Sequence, residues 1–269
     1  MLRRTITGVV SAAILIACMF APSSSLRWVV LLAAAWGVTE MLDAFQIAGH
    51  KPLRWPSFIA LALVVPIQLT LTNGAPLPLI AVILMLTTGN IAVRKRPDWI
   101  DAAASLYAAF TIILPFLMLL EIDAAGSNGS GRVFVFASFV IPLSGDIAAL
   151  FVGRAFGRHK LNPLLSPNKT WEGAAGGLIG SVIGALLLGG IGGMYINYLD
   201  IPPLWHWLLL GIFGGVAGQL GDFSASLVKR WCGIKDFGVV FPGHGGVMDR
   251  LDSVLFTSYI IYIYLIILL

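Results

Sequence analysis

SLVKRWCGIKDFGVVFPGHGGVMDRLD, residues 226–252, is a polar island with very apolar sequence on both sides. It holds Lys229, Arg230, Lys235, Asp236, His244, Asp249, Arg250 and Asp252, and a Pro-Gly-His-Gly-Gly run from Pro242 to Gly246. The whole chain of 269 residues is 58% hydrophobic and only 11% charged, where a soluble domain carries about 25% charged residues. A soluble core of this size cannot hide so much apolar surface, so the bilayer must be the solvent for most of it. The net charge of +4 would suit nucleic acid. The basic residues, however, sit in short clusters between apolar runs, which is the pattern of membrane topology, and no nucleic-acid partner is expected. Cys18 and Cys232 are too few and too isolated for a disulfide framework or a zinc site.

Working outward from the island, cuts at polar, Pro and Gly clusters leave apolar runs near the length a spanning helix needs, about 20 residues. They predict nine spans at 5–22, 27–47, 56–73, 76–93, 101–121, 132–153, 173–195, 204–228 and 250–269. The first, behind Arg3 and Arg4, resembles a signal peptide, but the many further spans favour reading it as a span. The expected fold is an all-α polytopic membrane bundle in a single domain, 1–269. Residues 1–125 would serve as scaffold and lipid contact, and residues 126–269 would carry the chemistry. With the N-terminus cytoplasmic, all of the 17 basic residues except Arg27 and Arg132 fall on the cytoplasmic side, as the positive-inside rule requires. The C-terminus would then lie outside, and both polar loops, 154–172 and 229–249, would face the cytoplasm. Glu40 and Asp43, one turn apart, read as interfacial carboxylates that cap or pair with Lys51 or Arg54. Pro66 and Pro115 are expected to bend their helices.

Two carboxylates lie inside apolar runs, Asp146 in PLSGDIAALFVGR and Asp222 in AGQLGDFSASLVKR. At mid-bilayer a carboxylate costs roughly 2.5–3.5 kcal/mol even on lenient scales, so each should face a polar cavity with a partner. Gln219, Asp222, Ser226, Lys229 and Arg230 follow at threes and fours and form one stripe on a helix. Asp249 and Asp252 are three apart and can share a face. Gly214, Gly215, Gly218 and Gly221 allow close packing along the same helix. The loop RAFGRHKLNPLLSPNKTWEG adds Arg154, Arg158, Lys160 and Lys169, with Ser166, Asn168 and Thr170 beside them. Ser166-Pro167-Asn168 reads as turn chemistry, and Thr170 to Gly173 as a helix start, where anions are favoured. Gly245 and Gly246 would let backbone amides approach a ligand. No Walker loop is present, the four histidines show no zinc-ligand spacing, and no GxSxG supports a serine hydrolase. Carboxylates that recruit Mg²⁺, beside lysines and arginines that hold phosphate, form an inventory for phosphoryl or nucleotidyl transfer at a membrane surface.

Ser226-x-x-Lys229-Arg230, then Lys235-Asp236-x-Gly238, then Pro242-x-His244-Gly245-Gly246-x-x-Asp249-Arg250-x-Asp252 resembles the signature of the phosphatidate cytidylyltransferases, the CDP-diacylglycerol synthases. Ser166-Pro167-Asn168-Lys169-Thr170-Trp171-Glu172-Gly173 resembles that family's SPxKTWEG motif. The resemblance covers about the last 125 residues. It implies transfer of a cytidylyl group from CTP to phosphatidic acid, with release of pyrophosphate, in phospholipid biosynthesis. It further implies Mg²⁺, K⁺ as a second ion, a multi-pass protein of the inner membrane and a homodimer.

On that reading Asp222 and Asp249, with Asp146, would hold the metal. Lys169, Lys229, Arg230, Lys235 and Arg250 would bind the triphosphate, the leaving pyrophosphate and the lipid phosphate. Ser166, Asn168, Thr170, Asp236, Gly245, Gly246 and Asp252 would line the substrate site. His244 either contacts phosphate or cytosine, or fixes the loop as a hinge. The rival activities are a CTP-dependent cytidylyltransferase or kinase acting on an isoprenoid lipid and, from another class, an ion-coupled transporter with Asp146 and Asp222 as midplane sites.

Overall fold

A chain dissolved in lipid must pair its backbone polar groups internally, and helices do so within one segment. The computed structural model describes residues 17, 22–70, 76–95, 97–125, 130–195, 201–241 and 245–268. Their helices are α1 (Ser23–Ile47), α2 (Trp55–Thr70), α3 (Pro76–Ala92), α4 (Trp99–Ala124), α5 (Ser130–Phe156), α6 (Trp171–Tyr195), α7 (Leu204–Trp231) and α8 (Met248–Leu268). A two-stranded antiparallel hairpin, β1 (Lys160–Asn162) and β2 (Ser166–Thr170), joins α5 to α6. Six helices, α1 and α4 to α8, are long and apolar enough to cross a membrane, while α2 and α3 are shorter apolar helices. The expected first span, apart from Ala17 and Pro22, lies outside the described residues, as do Arg3, Arg4, Arg96, Pro242 and His244.

The chain divides into two compact units, Met1–Glu121 with Val228–Leu251, and Ile122–Leu227 with Asp252–Leu269. The segment 228–251 thus groups with the N-terminal helices.

In the first unit α1 buries Ala34, Val38, Met41 and Leu42, and α4 buries Ala108, Ile112, Ile113 and Leu117. Asp98 caps α4 by accepting from the Ile100 amide at 2.8 Å. A π-turn at Ala109–Ile113, with the Leu114 amide bonded to the Ala109 carbonyl, ends one residue short of Pro115. Proline has no amide and its ring crowds the carbonyl four residues back, and the wider turn makes room for it. Pro66 sits within α2. The loop after α1 is clasped to α4. The Lys51 amide donates to Asp101 at 2.7 Å, the Leu53 amide to the Ser105 hydroxyl at 2.7 Å, and Arg94 to Asp101 at 3.0 Å. Asp43 pairs with Arg54, as its spacing suggested.

In the second unit α6 packs against α5 through Gly176 and Gly180, where a Cβ would overlap Val152 and Ala148. Small residues let helix backbones approach closely where lipid supplies no hydrophobic drive. The Ser181 hydroxyl donates to the Ile141 carbonyl at 3.0 Å and Thr257 to the Gly214 carbonyl at 3.1 Å. The α7 glycines do pack closely, Gly215 on Ser181 and Gly218 on Pro142 and Thr257. Phe134 stacks on Trp207 with ring centroids 5.4 Å apart.

Gly180→Val should destabilise this unit by about 1–3 kcal/mol or more, the usual cost of overpacking. Gly190→Ala on the same helix, where a Cβ meets nothing within 4 Å, should leave the thermal unfolding midpoint in detergent level or raised.

Candidate functional site

The hairpin between α5 and α6 turns on the side chain of Asn162. Its Oδ1 accepts from the Leu164 amide at 3.1 Å and the Leu165 amide at 3.3 Å, so the reversal falls at Pro163–Leu165. The expected turn at Ser166-Pro167-Asn168 is thereby corrected. An asparagine side chain that mimics a backbone turn captures the chain upstream, and those three residues run along β2. Thr170 ends the strand buried and starts α6, its hydroxyl accepting from the Gly173 amide at 3.1 Å. The Glu172 carboxylate accepts from the Arg158 and His159 amides and faces His159 Nδ1 at 2.6 Å. The base of the hairpin is thus tied to the first turn of α6. Glu172 had received no role in the sequence reading, and its place in the motif was its one signal.

From this hairpin Lys169 reaches across to α7, where its ammonium bonds Asp222 Oδ2 and lies 4.2 Å from the Phe223 ring centroid. The pair sits in a cavity of about 530 Å³. Asp146 of α5, Asn168 and Thr170 of the hairpin and Gln219 of α7 also line it. Gln219 is oriented by its bond to the Ala174 carbonyl at 3.0 Å. Ser166 is half-buried in β2. Asp252, at the head of α8 in this same unit, is buried and accepts from the Ser253 amide at 2.7 Å.

The remaining expected residues lie in the other unit. There α7 ends in a glycine cap, with the Ile234 amide bonded to the Lys229 carbonyl at 2.9 Å and the Gly233 amide to the Arg230 carbonyl at 3.2 Å. Cys232, within this cap, is buried, and burial pushes its thiol above the usual range, so it packs rather than reacts. The Lys229 ammonium meets Asp249 Oδ1 at 2.8 Å. Asp249 Oδ2 accepts from the Phe237 amide at 2.8 Å and the Gly246 amide at 2.9 Å. Gly245 takes φ +84°, and a Cβ there would press on Asp249. Arg230, Lys235, Asp236 and Arg250 are exposed.

Glu40 departs from its expected pairing. It is buried, and its carboxylate accepts from the Val247 amide at 3.1 Å and the Met248 amide at 2.9 Å. Its sequence signal was only an acid inside an apolar run. His50, Asp98 and Asp101 bring ligating atoms within 4.8 Å of one another. Their geometry is that of an ionic clasp, since Arg94 and the Lys51 amide hold Asp101 and Asp98 caps α4.

The profile of the cytidylyltransferase family matches residues 2–268. The chain belongs to the cytidylyltransferase family. It is 31% identical over 270 residues to the phosphatidate cytidylyltransferase of Staphylococcus saprophyticus, covering 98% of both chains. It is 31% identical over 271 residues to that of Bacillus subtilis, covering 97% of this chain and 96% of the relative. To that of Brucella suis it is 34% identical over 233 residues, covering 87% and 80%.

In this cytidylyltransferase the donors around the cavity suit a hard divalent cation. Asp222, Asp146, the Thr170 hydroxyl and the Asn168 and Gln219 amides offer oxygen, the ligand type that Mg²⁺ takes.

Thr170→Val should cost about 0.5–2 kcal/mol of stability through the lost cap, while Thr170→Ser keeps it. Thermal unfolding of the two variants in the same detergent checks this.

Proposed function

We propose that this protein transfers the cytidylyl group of CTP to phosphatidic acid, giving CDP-diacylglycerol and pyrophosphate in phospholipid biosynthesis. The observation that carries the reading is the cavity in which Lys169 and Asp222 meet beside Asp146. Its volume of about 530 Å³ lies within the range of small-molecule sites, and it combines a phosphate-binding cation with metal-binding carboxylates. The relatives named phosphatidate cytidylyltransferase support the choice of substrates.

A phosphatidate oxygen attacks the α-phosphorus of CTP, the new P–O bond forms, and the bond to the β-phosphate breaks to release pyrophosphate. The attacking phosphomonoester is mostly ionised at neutral pH because its second pKa is about 6. No strong general base is needed, and the protein's task is positioning and charge neutralisation. Lys169 neutralises phosphate in its cavity. Lys229, Arg230, Lys235 and Arg250 are the phosphate-binding cations of the other unit. Asp222 and Asp146, and in the other unit Asp249, are the carboxylates for Mg²⁺. When bound, Mg²⁺ supplies a Lewis acid that offsets phosphate charge. K⁺ remains a second ion to which no residue is assigned. His244 falls outside the described residues and keeps both of its readings.

The finer topology belongs to the same proposal: nine spans, N-terminus cytoplasmic, loops 154–172 and 229–249 on the cytoplasmic side of the inner membrane, and a homodimer. The positive-inside distribution supports the orientation.

The purified protein, given labelled CTP, phosphatidic acid and Mg²⁺, should move label into a chloroform-soluble product and release pyrophosphate in equal amount. Label that stays aqueous sinks the reading. Release of CDP with a phosphorylated lipid points to a kinase, and solute flux indifferent to CTP to a transporter. Asp222→Asn and Asp249→Asn should each lower turnover by about 100-fold or more with the protein still folded. Near-normal turnover in either removes that residue from the site.

A further inference from the structure

The three consecutive amides at the start of α8 each donate to a carboxylate. The Gly246 amide donates to Asp249, and the Val247 and Met248 amides donate to Glu40. Glu40 comes from α1, 207 residues away in sequence from Val247. Its side chain is buried and also hydrogen-bonded by Trp36. A helix N-terminus carries partial positive charge and unpaired amides, and a carboxylate placed there orients the first turn. The fit is close on both sides, since a Cβ at Gly238 or at Gly246 would overlap the Glu40 carboxylate. Glycine at these two signature positions therefore makes room for an acid from a helix that lacks the signature.

What Glu40 orients is the turn that carries Asp249. With Val247 and Met248 held by Glu40, the Gly246 and Phe237 amides face Asp249 Oδ2, and Oδ1 is left for Lys229. We infer that Glu40 is a positioning residue of the reaction. It acts through the first turn of α8 to set the Lys229–Asp249 pair and so the handling of CTP. This rests on the function proposed above. Asp43, one turn along α1, pairs with Arg54 and marks the contrast between an acid that serves its own loop and one that serves the site.

Glu40→Gln keeps size and shape but leaves one oxygen acceptor where two amides need one each, and turns an N–H toward the other. Relative to wild type, the KM for CTP should rise about tenfold or more, the size of one lost hydrogen bond to a charged group. Amide hydrogen exchange over residues 237–250 should quicken by a similar factor. Asp43→Asn is the control on the same helix, with wild-type exchange over that segment. Wild-type exchange there in Glu40→Gln overturns the inference whatever the activity. Faster exchange with an unchanged KM for CTP leaves Glu40 a merely structural cap and overturns it too. Should Glu40→Gln not fold, Glu40→Asp, which keeps the charge and shortens the reach, carries the same two readouts. A wild-type protein that makes no CDP-lipid defeats the proposed function instead, and the exchange comparison still tests the hold of Glu40 on the turn.

Discussion

A charge taken out of water must be matched by an opposite charge or by hydrogen bonds, and this requirement organises both units. Lys169 is matched by Asp222 in one unit and Lys229 by Asp249 in the other. Arg132 grips Asp123 through two nitrogens, and Arg94 meets Asp101. Removing one partner of a buried pair leaves an uncompensated charge at a cost of about 3–5 kcal/mol, so the pairing, once formed, fixes which groups face each other.

The long helix α7 serves this requirement twice, supplying Asp222 to one unit and Lys229 to the other, seven residues apart on its polar stripe. The segment Val228–Leu251 groups with the N-terminal helices, and an acid of α1 fills the helix end from which Asp249 projects.

Much of the fold was legible because lipid imposes a length and a composition on anything that crosses it. The predicted runs from residue 27 onward each overlap a helix, and α7 carries its stripe as the spacing required. The features that escaped have local or distant causes that hydropathy does not register. The hairpin depends on the Asn162 side chain competing for backbone amides. The π-turn answers the ring of Pro115 within a run that reads as plain helix. The Glu172 clasp joins residues 13 and 14 positions apart through a loop conformation rather than a period.

The sequence by itself determined the membrane class, the places of the described helices, and membership of the cytidylyltransferase family. Each of these is a property of contiguous residues or of their regular spacing. Only the tertiary structure decided which cation answers which carboxylate, that Thr170 caps a helix, and that Glu40 belongs with Val247 and Met248 rather than with Lys51 or Arg54. Those partnerships join groups far apart in the chain, and helix packing, not spacing along the sequence, brings them within hydrogen-bond reach.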